Sequence, residues 1–151
     1  MLYHPKMKKL LVVIGCSSAI AAPLVKEIQR NTQTQVLLLG RQPNIHIQGE
    51  FMEYDARDGH PPKLFRILDE YTHIEIFWLV GIKSGNIDEV IEVNFLAPVK
   101  VYEKLINRFK EKMIKFIVFS SQGDVHGGLS HPGYNASKSA LSNYFMPQIF
   151  K

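Results

Sequence analysis

Short apolar runs alternate along the chain with segments in which apolar residues recur every three or four positions. The runs Leu10–Ile14, Gln35–Leu39, Glu50–Tyr54, Ile74–Val80 and Lys115–Phe119 are too short for helices and too continuous for a sheet with one wet face. They predict strands buried on both sides. Between them, Ala21–Arg30 places Leu24, Val25 and Ile28 on one helical face, and Pro62–Tyr71 does the same with Leu64, Phe65 and Leu68. A longer segment, Ile87–Phe109, carries a broad stripe that includes Val90, Ile91, Phe95, Val99 and Leu105. A last helix is predicted to start near Tyr134, and Pro147 to break it about three turns later. Strand and helix in turn, five strands deep, predict an α/β fold: a doubly wound parallel sheet with helices on both faces.

Composition fits one domain spanning residues 1–151, with 46% apolar and 21% charged residues, no internal repeat and no linker. The single cysteine, Cys16, rules out an internal disulfide framework and points to a reducing, cytoplasmic setting. Eighteen Lys and Arg against 14 Asp and Glu give a net charge of +4, but only Lys6, Lys8 and Lys9 cluster, so no nucleic-acid surface is expected. The six histidines never stand four apart as a helical metal pair would, and no metal site is expected. Lys6 to Lys9 followed by Leu10–Ile14 imitates an export signal, and Val13-Ile14-Gly15-Cys16 imitates a lipoprotein cleavage box. The apolar run stops after five residues at Gly15, which is too short for either, and no stretch is long enough to cross a membrane.

In a sheet of this kind, ligands lie beyond the carboxyl ends of the strands. The first strand ends in Gly15-Cys16-Ser17-Ser18-Ala19-Ile20 and leads into a helix whose unpaired N–H groups favour a pyrophosphate. A dinucleotide-binding turn normally carries three glycines here. Only Gly15 is present, with Ala19 and Ala21 at the other two positions, so an ordinary strand-to-helix turn remains an open alternative.

The fifth strand ends in Ser120-Ser121. After the Gly-rich stretch from Gln122 comes Tyr134-Asn135-Ala136-Ser137-Lys138. Together with Ser121 thirteen positions before Tyr134, Val93-Asn94 in the long helix and the Gly15 turn, this resembles the catalytic region of short-chain dehydrogenases/reductases. The resemblance implies a Rossmann-like sheet of strand order 3-2-1-4-5 and hydride transfer between a nicotinamide and a carbonyl or alcohol. It implies Tyr134 as acid/base, with Lys138 favouring its phenolate and binding the nicotinamide ribose. Ser121 would orient the carbonyl, and Asn94 would help to hold a relay water. Cofactor contacts are expected from Gly15, Ser17, Ser18, Ala19, Ile20, Arg41, Asp55, Gly81, Tyr134 and Lys138. Asp55 matches the family aspartate at the adenine. Arg41, where NAD-preferring sites carry an acid, favours the 2′-phosphate of NADP over NAD. Each residue also has a plainer reading: Tyr134 resting on the sheet, Lys138 a solvated charge, Ser121 a turn residue, Asn94 on a helix surface, Asp55 a cap and Arg41 an exposed arginine.

The sequence departs from that family in two ways. The Asn-Asn-Ala-Gly stretch after its fourth strand is here Trp78-Leu79-Val80-Gly81, which removes amides that brace the sheet. Relatives also continue past the position of Lys151 with the strands and lid of the substrate pocket. The chain therefore reads as a C-terminally truncated family member, with Gln122 to Pro132 as its substrate-facing segment. The uncovered strand 115–119 then predicts a homo-oligomer or dimer, formed through that edge or through the helices at 87–109 and 134–146. A noncatalytic module that binds a nucleotide or a partner is the alternative.

Overall fold

The computed structural model describes residues 8–30, 34–121 and 130–150. Lys6 and most of the Gln122 to Pro132 segment lie outside the described residues.

Five parallel strands, β1 (Lys9–Ile14), β2 (Gln35–Gly40), β3 (Glu50–Glu53), β4 (His73–Trp78) and β5 (Met113–Val118), form one sheet of order β3-β2-β1-β4-β5. The expected runs are these strands, with ends shifted by one or two residues. In β1, Leu10, Val12 and Ile14 pack into one cluster and Leu11 and Val13 into another on the opposite face. That two-sided burial is why the run shows no polar alternation. The run to Val80 ends as a strand at Trp78, because β1 bends away at Gly15 and the last bond between the pair is Leu79 N–H to Ile14 O at 2.7 Å.

Helix α1 (Ala21–Gln29) covers one face through Ala21 and Val25. Helix α2 (Pro62–Leu68) covers the other through Leu64 and Leu68. Helix α2 ends earlier than the periodicity predicts, since Asp69, Glu70 and Tyr71 each donate to a carbonyl three residues back and tighten the last turn.

The long segment at 87–109 is not one uniform helix. It comprises α3 (Ile87–Ile91), a π-helical turn (Glu92–Leu96) and α4 (Ala97–Arg108). Pro98 has no N–H to return to the carbonyl of Asn94, and its ring crowds that carbonyl. The chain responds by widening, and Ala97 N–H bonds to the Glu92 carbonyl five residues back. Helix α5 (Pro132–Phe145) lies beside α4, where Val99, Leu141 and Phe145 pack against Phe116 and Val118 of β5. It ends one residue before a 3₁₀ turn (Met146–Phe150) that holds Pro147, as expected of that proline.

Candidate functional site

The tips of β1 to β4 enclose a cleft of about 230 Å³, lined among others by Gly15, Ser17, Ser18, Arg41, Asp55 and Gly81. Gly15 has φ +89°, and a Cβ there would lie 2.8 Å from Val80 N and 2.9 Å from the Leu79 carbonyl carbon. Only glycine lets the exit of β1 pass so close to the exit of β4. The N–H groups of Gly15 and Cys16 both bond Leu39 O, at 2.8 and 3.1 Å, and two turns closed by Ser18 N–H to Gly15 O and Ala21 N–H to Ser18 O lead into α1. Two hydroxyls, a helix N-terminus and the exposed Arg41 guanidinium form a donor set suited to phosphate. Ala19 is exposed and outside this lining, while Ile20 belongs to an adjoining recess.

Asp55 caps the 3₁₀ turn Ala56–Asp58, with Oδ1 accepting from Arg57 N–H at 2.9 Å. The Arg57 side chain folds back onto both Asp55 oxygens, at 3.2 and 3.1 Å, and reaches Glu89 Oε1 at 2.7 Å. That backbone hydrogen bond, helped by the charges of Arg57 and Arg41, outweighs burial and holds the Asp55 carboxyl below its ordinary range. The capping role is therefore realised, and Asp55 still borders the cleft. Arg57 was not among the expected residues, although its place two after a strand-end aspartate is a visible signal.

The adjoining recess, of about 180 Å³, is bounded by Ile20, Trp78, Gly81, Phe119, Ser120, Tyr134 and Lys138, among others. Lys138 is only 6% exposed, so it is not a solvated helix charge. Its Nζ donates to Phe119 O at 2.9 Å and lies 5.9 Å from the centre of the Tyr134 ring. Lys83, which sequence reasoning missed, brings a second ammonium to 6.0 Å from the same ring. Ser120 lines the recess with its Oγ 2.7 Å from that of Ser142, whereas Ser121 is half-buried and lies outside the lining.

Asn94 is buried, at 1% exposure, rather than on a helix surface. It accepts from Ile82 N–H at 2.8 Å and donates to Ile82 O at 2.8 Å and to Ser137 Oγ at 3.0 Å. Ser137 in turn donates to the Tyr134 carbonyl at 2.7 Å. The π turn is thereby tied both to the loop after β4 and to the turn of α5 that carries Tyr134. Trp78 occupies the place of the family's first bracing amide. It fills the core instead, edge-on to Tyr54 at 6.3 Å between ring centres. Among the described residues no group of three or more His, Cys, Asp or Glu could hold a metal ion, and no helix is long and apolar enough to cross a membrane.

A five-stranded parallel sheet of this order, with a phosphate-suited cleft at its switch point, defines a Rossmann-like α/β protein with the fold of short-chain dehydrogenases/reductases. Solved structures agree. The ligand-free aldohexose dehydrogenase of Thermoplasma acidophilum superposes with a TM-score of 0.79 at 18% identity, over 95% of this chain and 61% of that one. A single-site variant of actinorhodin polyketide ketoreductase solved with NADPH gives 0.75 at 12% identity, over 97% of this chain and 66% of that one. An NAD+-bound xylitol dehydrogenase gives 0.73 at 13% identity, with the same 97% and 66%. The chain thus spans less than two thirds of the length of these three neighbours. No family model and no curated protein sequence matches it.

Proposed function

We propose that the chain is an NAD(P)(H)-dependent oxidoreductase of the short-chain dehydrogenase/reductase type, acting on a small-molecule carbonyl or alcohol with Tyr134 as acid/base. The observation that carries this reading is the convergence of Tyr134 and Lys138 on one recess that shares Leu79, Val80 and Gly81 with the phosphate-suited cleft. The cleft residues fit a dinucleotide. Gly15, Ser17 and Ser18 would hold the pyrophosphate, Gly81 leaves room beside Lys138, and Ile20 supplies an apolar wall. Arg41 favours NADP, because a guanidinium grips a 2′-phosphate by charge-assisted bonds that a bare ribose does not offer. Bound there, the nicotinamide supplies or accepts a hydride.

The chain's own residues manage the proton. Tyr134 gives its phenolic proton to the carbonyl oxygen during reduction and recovers it from the alcohol during oxidation. Lys138, whose Nζ lies 5.9 Å from the centre of the Tyr134 ring, would hold the nicotinamide ribose. Ser120, which lines the recess, would orient the carbonyl in place of the expected Ser121, and Asn94 acts as a positioning residue through Ile82 and Ser137.

The test is NADPH oxidation against small ketones and aldehydes, with the Tyr134→Phe variant alongside. The expected result is turnover that falls at least about 100-fold in the variant while NADPH binding persists. Tight nucleotide binding without turnover would instead support a noncatalytic nucleotide-binding module, a reading favoured by Ser121 lying outside the recess.

A single buried, unpaired thiol at Cys16 supports a reducing, cytoplasmic setting. The outer edge of β5 borders an apolar groove of about 580 Å³ lined by Ile114, Phe116, Val118 and Phe145, among others, which supports a homo-oligomer formed through that edge. Sedimentation of wild type and Val118→Lys tests this, the variant being expected to shift toward monomer.

A further inference from the structure

Two ammonium groups approach the Tyr134 ring, and the proposed chemistry uses only one. Lys138 is buried, bonded to Phe119 O, and belongs to the same helix as the tyrosine. Lys83 comes from the loop after β4, is exposed, lies 6.0 Å from the ring centre and lines the same recess. Among the described residues it has no ion-pair partner. Glu89, whose carboxylate lies beside Gly85 of the same loop, is already engaged by Arg57. The lining of the recess mixes apolar Ile20, Leu79, Val80 and Phe119 with polar Ser120, Tyr134 and Lys138. A charge at a recess partly walled by apolar side chains acts more strongly on a ligand than the same charge on an open surface.

From this arrangement we infer that Lys83 binds the carboxylate of a small 2-oxo or 3-oxo acid, or of the matching hydroxy acid in the reverse direction. The inference rests on the oxidoreductase reading and names its substrate class. A short oxo acid fits within a recess of about 180 Å³. An anion one or two carbons from the reacting carbonyl meets Lys83 while the carbonyl oxygen meets the Tyr134 hydroxyl. In the reduction, the carbonyl carbon receives a hydride from reduced nicotinamide and its oxygen receives the Tyr134 proton. The carboxylate is unchanged, and Lys83 forms and breaks no covalent bond.

The test compares the full chain with its Lys83→Met and Lys83→Arg variants, in the presence of NADPH, on two pairs in which an alkyl group replaces the carboxylate. These are 2-oxobutanoate against 2-butanone, and 3-oxobutanoate against 2-pentanone. Calorimetric binding of oxamate, an oxo-acid mimic that is not reduced, is measured in parallel. Wild type is expected to prefer the oxo acids. Lys83→Met should lower kcat/KM for them by about 10- to 100-fold, mainly through KM, a loss at least tenfold greater than for the neutral ketones. Lys83→Arg should recover most of it. Equal losses on charged and neutral substrates, or a wild-type preference for neutral ketones, overturn the inference. If no carbonyl compound is reduced at all, the oxidoreductase reading fails separately, and oxamate then decides the anion site. Binding weakened at least tenfold by Lys83→Met upholds it, whereas absent binding, or binding indifferent to the substitution, overturns it.

Discussion

Gly15 and Gly59 both have positive φ, yet a methyl group would meet different surroundings at each. At Gly15 it would stand within 2.9 Å of two backbone atoms, and at Gly59 nothing lies within 4 Å. Gly15→Ala is therefore expected to cost about 3 kcal/mol or more, from backbone strain plus displacement of the β4 exit, and Gly59→Ala only about 1 kcal/mol. Urea unfolding of the two variants with unchanged slope checks the difference. Arg41 permits a second prediction at this scale. Its guanidinium is exposed at the cleft and acts electrostatically on Asp55. Arg41→Asp is expected to weaken NADPH binding by about 10- to 100-fold and to leave NADH nearly unaffected, as read by fluorescence titration.

The π turn shows how an element can organise a recess that none of its residues lines. Asn94→Ala would strand the Ile82 N–H and C=O and free Ser137 Oγ, all satisfied by one amide. A loss of about 2–4 kcal/mol is expected, with a drop in kcat from misplacement of the Tyr134 turn. Thermal unfolding and turnover of the variant measure the two effects. Strands β1 and β2 were legible in the sequence because burial on both faces leaves unbroken apolar runs. The edge strands β3 and β5 hold no fully buried residue and β4 alternates, so the expected two-sided burial is confined to the sheet's centre. The recess was legible at Tyr134 and Lys138 because four-residue spacing puts both on one helical face. The rest was hidden for physical reasons. The periodicity over 87–109 predicts a single helix and passes over Pro98, and the direction of the shift depends on Asn94 finding Ile82, twelve residues earlier in the chain and unrelated by any periodicity. The burial of Lys138 was equally invisible, since a lysine on a helix carries no mark of the Phe119 carbonyl awaiting it. Lys83 and Arg57 act through long side chains folded across loops, which patterning does not read.

At the scale of the whole molecule, one carboxylate links three strands. Glu75 of β4 approaches Lys9 of β1 at 3.3 Å, Lys115 of β5 at 3.5 Å and His73 of its own strand at 3.5 Å. Burial pushes the Glu75 carboxyl up, but the hydrogen bond and charge of Lys9, with His73 and Lys115, outweigh it and leave the group below its ordinary range. Because the folded value lies below the unfolded one, the associated stability is present above the ordinary glutamate range and is lost as pH falls through the folded value. The acid limb of a stability–pH curve is expected to flatten in Glu75→Gln, with neutral-pH stability lower than in wild type. Chemical denaturation across the acid range checks both.

Cys16 sits one residue beyond Gly15 with no exposed surface, and its sulfur would lie 3.0 Å from a Cβ added at Gly40. Burial raises its thiol above the ordinary range despite backbone hydrogen bonds, so the closed protein offers a thiol reagent neither access nor an ample supply of thiolate. The lone sulfhydryl is thus a built-in gauge of any opening of the loop after β1. Its alkylation rate at low reagent gives the population of the opened form directly. A nucleotide that closes over this loop slows the alkylation in proportion to its own saturation, and so supplies a binding isotherm without any chromophore.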